Sequence, residues 1–158
     1  MSYLGWFGAV YFAKWNLSVE SFIFPILSYG VLLRGQNLNF KQFLFLIAAC
    51  TIGISFDSLM ASFQFISFPL GSQGPIPMWL VSMWFLFSTV IFLVSPLFEN
   101  RLWGATLLGA FFGPLTYFSG EKFEVLHFVK SETLAYYALF WSVYFPGLFW
   151  VNRTLKWK

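Results

Sequence analysis

With 158 residues, 59% of them hydrophobic and only 9% charged, and a mean hydropathy of +0.73, the chain has too little polar surface for a soluble globular domain. The composition predicts an all-α, polytopic transmembrane helical bundle forming a single domain over 1–158. The net charge of +3 lies in loop and tail Lys and Arg, where membrane orientation requires it, so no nucleic-acid partner is expected.

In chain order, the amino terminus lacks the basic segment and small-residue cleavage site of a signal peptide and is expected to be retained. A first apolar run, 3–13, is short for a span and stops at the interfacial residues Lys14, Trp15 and Asn16, so crossing would need tilt or bilayer thinning. The second run, 17–33, carries Glu20 near its start and Pro25, whose missing N–H predicts a kink. A polar loop, 34–42, leads to the third run, 43–68, which exceeds the roughly 20 apolar residues a bilayer core demands. Residues 69–77, PLGSQGPIP, are turn chemistry without charge.

The fourth run, 78–98, opens with Trp79, and a turn at 99–101 precedes the fifth, 102–118. A polar loop, 119–132, then separates this from the sixth run, 133–151, and the basic tail 152–158. No internal repeat, linker or low-complexity tract is apparent. Six spans place Arg34, Lys41, Arg101, Arg153, Lys156 and Lys158 on one side and Lys14, Lys122 and Lys130 on the other; if 3–13 does not cross, the count is five and only the amino terminus changes side. That asymmetry predicts that both termini are cytoplasmic.

Two registers stand out. In the third run, Ala49, Gly53, Asp57 and Ala61 recur at every fourth residue and define one helix stripe. A carboxylate within a span costs roughly 2.5–3.5 kcal/mol on insertion scales, so Asp57 is expected to face the bundle rather than lipid. It lies about 14 residues into its run, about 21 Å at helical rise, hence in the outer half. Thr51, Ser55, Ser58 and Ser62 form a hydroxyl stripe that either returns bonds to backbone carbonyls or offers donors to Asp57. In the fifth run, Ala105, Gly109 and Gly113 make a small-xxx-small seam for helix packing, and Pro114 predicts a bend beyond it.

Groups able to do chemistry gather in the same outer half: Asp57, Glu20, Trp79 and Tyr117, followed by Ser119, Glu121, Glu124 and His127. Such a cluster is where a binding site is expected, although Trp and Tyr also collect at interfaces with no ligand to bind. A lone histidine is poor ground for a metal site, and the two loop glutamates read as solvated charges. The single Cys50 reads as a small packing residue. There is no P-loop, HExxH, histidine-box set or GxSxG elbow, so no catalytic residue is assigned and no metal or cofactor is expected.

Three stretches carry a resemblance: Gly53 to Asp57; Pro77, Met78 and Trp79 with Trp84 and Phe87; and Gly109 and Ala110 leading to Gly113, Pro114, Leu115, Thr116, Tyr117 and Gly120. Together they resemble the pattern of a domain-of-unknown-function family of small bacterial inner-membrane proteins. Asp57, Trp79, Trp84, Pro114 and Tyr117 match it, whereas the charged loop 121–130 departs from it. The resemblance implies no activity; it implies genes encoded beside those of enzymes that modify membrane fatty acids. The expected ligand-binding set is Asp57, Trp79, Trp84 and Tyr117, with Glu20 added for its place in the outer half.

Three functions follow as expectations. The first is binding, or helping to process, a lipid-like molecule in an aromatic-lined pocket with Asp57 as its polar anchor. The second is a small proton-coupled transporter working through Asp57. The third is a structural subunit that meets a membrane-protein partner through the Ala105, Gly109 and Gly113 seam. In every case membrane lipids are partners.

Overall fold

The structure, a computed structural model, describes residues 20–35, 39–69, 74–98 and 101–154, together with Gly8, Val10 and Tyr11. Most of the first run, its boundary at Lys14, Trp15 and Asn16, and parts of three loops and of the tail lie outside the described residues. The fold is all-α. A 3-10 turn, Glu20–Phe22, leads into α1 (Ile23–Gly35), followed by α2 (Phe40–Ser62), α3 (Met78–Phe98), α4 (Leu102–Lys122) and α5 (Thr133–Thr154). Two short strands, β1 (Ile66–Ser67) and β2 (His127–Phe128), pair antiparallel between α2 and α3 and between α4 and α5. Both α2 and α5 are long and apolar enough to cross a membrane.

Local chemistry sets the ends. Helix α2 starts earlier than hydropathy predicts, at Phe40, because Asn39 and Gln42 close a capping box: the Asn39 side chain accepts from Gln42 N and the Gln42 side chain accepts from Asn39 N, both at 2.9 Å. It also ends earlier, at Ser62, rather than running to 68. Gln64 turns left-handed (φ 56°), its N–H bonds to Ala61 O, and Phe65 N bonds to Met60 O at 2.8 Å, a Schellman cap that frees 65–68 to form β1. Pro25 lies in the first turn of α1, where its missing N–H has no helical partner to lose, so it does not kink the helix interior. The loop expected to be polar is partly structural: α4 continues to Lys122, and Val125 and Leu126 are buried.

Some local geometry nonetheless recurs between two parts of the chain. Glu124 (φ 62°) repeats Gln64, and the bonds Glu124 N to Glu121 O and Val125 N to Gly120 O repeat the cap of α2. Gly53 and Gly113 each lie where a Cβ would overlap a tryptophan ring, Trp84 and Trp141 respectively. Those two rings stack on each other, centroids 5.4 Å apart and 8° from parallel. Trp84 meets Tyr144 edge-on, and Trp141 meets Phe87 edge-on, one contact exchanged between halves. Ser67 opposite His127 is a strand pair that such an exchange maps onto itself, and Asn152 bonds the matched Ser95 at 2.7 Å. The units α2–β1–α3 and α4–β2–α5 thus share an element order, a cap and a glycine-on-tryptophan contact. Few side chains are shared at matched places, so residue identity does not reveal this.

Candidate functional site

Asp57 is wholly buried on α2, on the same face as Ala49 and Gly53. The four-residue spacing of small side chains produces this face, because they let α3 and α5 bring long aromatic donors to the carboxylate. Trp84 Nε1 donates to Oδ2 at 2.6 Å, the Tyr117 hydroxyl bridges Oδ1 and Oδ2 at 2.8 and 2.9 Å, and the Tyr137 hydroxyl donates to Oδ1 at 3.0 Å. Tyr117 and Tyr137 stack 3.7 Å apart. Donors from three helices converge on one acid, and all three side chains are uncharged.

The positions expected from sequence divide into three groups. Trp84 and Tyr117 meet Asp57 directly. Trp79 is buried near the start of α3, edge-on to Phe68 at 6.4 Å, and is not bonded to the acid. Glu20 is exposed in the 3-10 turn and stands outside the carboxylate cluster, because the chain enters α1 with this side chain outward. The hydroxyl stripe serves its own helix: Thr51, Ser58 and Ser62 donate to Ile47, Ile54 and Ser58 carbonyls. Sequence reasoning missed Tyr137, which falls in an apolar run without a polar neighbour to mark it. A buried acid with no nearby cation was the available signal that more donors were needed.

His127, Glu121 and Glu124 form no site with Asp57. His127 is exposed on β2, and Glu121 Oε1 accepts from Phe128 N at 3.2 Å. This end of the bundle is clasped by Lys130, whose Nζ donates to Phe63 O at 3.0 Å over the Phe65 ring, and by the Thr133 hydroxyl beside Phe65 O. Exposed Glu132, at the α5 start, has its carboxyl held below the usual range by its own backbone N–H, with Ser131 adding a bond.

The seam of Ala105, Gly109 and Gly113 is used inside the chain. A Cβ at Gly109 would strike the Trp141 carbonyl, and Ala105 is fully buried, so α4 and α5 make the closest helix pair of the fold. The seam therefore packs against α5 within the chain.

Beside the acid lies a cavity of about 670 Å³ between α3 and α4, closed at its back by α5. Trp79, Trp84 and Tyr117 line it, as do Phe87, Phe112 and Trp141, and no charged residue is among the described lining. Asp57 is not among the lining residues, but Trp84 and Tyr117, which are, both donate to it. The acid fixes two walls of the cavity. Such a space suits an apolar molecule with few polar groups.

No curated protein and no solved structure matches the sequence. The family described as "Protein of unknown function (DUF2878)" matches residues 1–147, nearly the whole chain. The chain belongs to that family.

Proposed function

We propose that the protein is a six-span inner-membrane bundle, both termini cytoplasmic, that binds a lipid-like molecule in the cavity between α3 and α4. The observation that carries this reading is the cavity itself: about 670 Å³, lined by aromatic and aliphatic side chains and walled by residues locked onto a buried acid. The orientation is supported by the excess of Lys and Arg in the segments assigned to the cytoplasm. The antiparallel order of α2 to α5, with β1 and β2 at one end, supports repeated crossings.

The carboxylate contributes rigidity. Held by three donors, it keeps the Trp84 and Tyr117 rings upright, which preserves an open cleft where flexible side chains would collapse into it. Native mass spectrometry of protein purified in mild detergent tests the reading. A lipid should co-purify with wild type and be lost from the double variant Met83→Phe/Thr116→Phe, which adds bulk to both walls. An unchanged lipid profile in that variant would refute it.

A further inference from the structure

Along the length of the cavity, the polar side chains are already committed within the protein. Trp84 and Tyr117 donate to Asp57, the Thr116 hydroxyl donates to Phe112 O at 2.9 Å, and the Ser119 hydroxyl donates to Leu115 O at 2.8 Å. Trp141 Nε1 is itself buried away from the space. Trp79 opens α3 and marks one end. No charged residue is among the described lining. A polar group placed between the two ends would give up its bonds to water and find none in return, so the occupant is hydrocarbon over this length.

The shape narrows the occupant further. The lining follows α3 from Trp79 to Phe98, about 28 Å at helical rise, close to the hydrocarbon depth of a bilayer, about 30 Å. Spread over that length, about 670 Å³ leaves a mean section of about 24 Å². Carbon atoms in contact stand about 4 Å apart, so the space holds one extended chain and is too narrow for two abreast.

The space is also open along one side. Phe87, Val90 and Val94 on α3 line it and are half-buried, while Leu108, Phe112 and Leu115 on α4 line it and are 38%, 54% and 42% exposed. Within each helix the three recur at intervals of three or four residues, so two apolar stripes form the rims of a furrow that runs along the spans. In a bilayer such a furrow is reached sideways by a lipid chain whose head group stays in the interface.

We infer that the furrow between α3 and α4 takes a bilayer lipid by a single straight hydrocarbon chain, laid in from the side, and leaves the head group outside. This rests on the lipid-binding reading and narrows its ligand class. The chain is recognised by its width, and the head group is not recognised.

Native mass spectrometry of the full-length protein in mild detergent, with lipids added as equimolar pairs, tests the inference. Phosphatidylcholine with straight hexadecanoyl chains should be retained at least about fivefold over phosphatidylcholine with methyl-branched phytanoyl chains, because each branch overpacks a space one chain wide. Phosphatidylglycerol and phosphatidylcholine with the same straight chains should bind within about twofold of each other, since no charge lines the furrow. Phe112→Ala trims one exposed rim, and should admit the branched chain and bring the first ratio close to one. Equal retention of straight and branched chains, a tenfold or greater preference for one head group, or a Phe112→Ala protein that keeps the full chain preference would overturn the inference while leaving the lipid reading standing. If none of these lipids binds and Met83→Phe/Thr116→Phe retains its co-purified lipid, both fall.

Discussion

Asp57→Ala tests the centre of the fold. The substitution leaves Trp84 Nε1 and the hydroxyls of Tyr117 and Tyr137 as three buried donors without their acceptor. Interhelical hydrogen bonds in membrane proteins are worth about 0.6 kcal/mol on average and up to about 1.7, so three predict a loss of about 2–5 kcal/mol. Asp57→Asn keeps one oxygen and offers an amide to hydroxyls that can accept, and should cost about 1 kcal/mol. Because the three donors share one acceptor, Tyr137→Phe added to Asp57→Ala should cost little beyond Asp57→Ala alone. The assay is reversible unfolding in mixed micelles, followed by tryptophan fluorescence, which the Trp84 and Trp141 stack makes sensitive to separation of α3 from α5. An Asp57→Ala protein within 0.5 kcal/mol of wild type would show that the cluster does not hold the helices, and the account of the cavity walls would fail with it.

Three further outcomes are expected from the same unfolding assay. Gly109→Ala drives a methyl into the Trp141 carbonyl and should destabilise by about 1–3 kcal/mol, whereas Gly30→Ala, with open space around its Cβ on α1, should be neutral or stabilise slightly; equal effects would contradict the close α4–α5 approach. Gln64→Gly and Glu124→Gly each relieve a left-handed non-glycine residue and should stabilise by about 1 kcal/mol, with loss of stability counting against the paired caps. Asn39→Ala removes the α2 capping box and should cost about 1 kcal/mol, and Asn39→Asp should largely restore it.

Much of the site was legible from spacing and cost. A carboxylate too expensive to leave in lipid, on a stripe of small residues, had to face other helices, and Asp57 does. Trp84 and Tyr117 could be named with it because their motifs mark positions on the two neighbouring helices. Tyr137 and Trp141 could not. A tyrosine or tryptophan in an apolar run has the same local signature whether it meets lipid, packs in a core or donates to a distant acid. The helix ends at Phe40 and Ser62 were missed for another reason: hydropathy reads apolarity, whereas a capping box and a left-handed residue decide where the hydrogen-bond ladder stops.

Composition and periodicity by themselves settled that the chain is helical, which stripe of α2 turns inward, and that the glycine seam of α4 serves close packing. These are local properties, carried by residues three or four apart. The choice of α5 as the seam's partner, the Tyr137 donor to Asp57 and the orphaned indole of Trp141 emerged only from the tertiary structure. Each depends on distances between residues far apart in sequence.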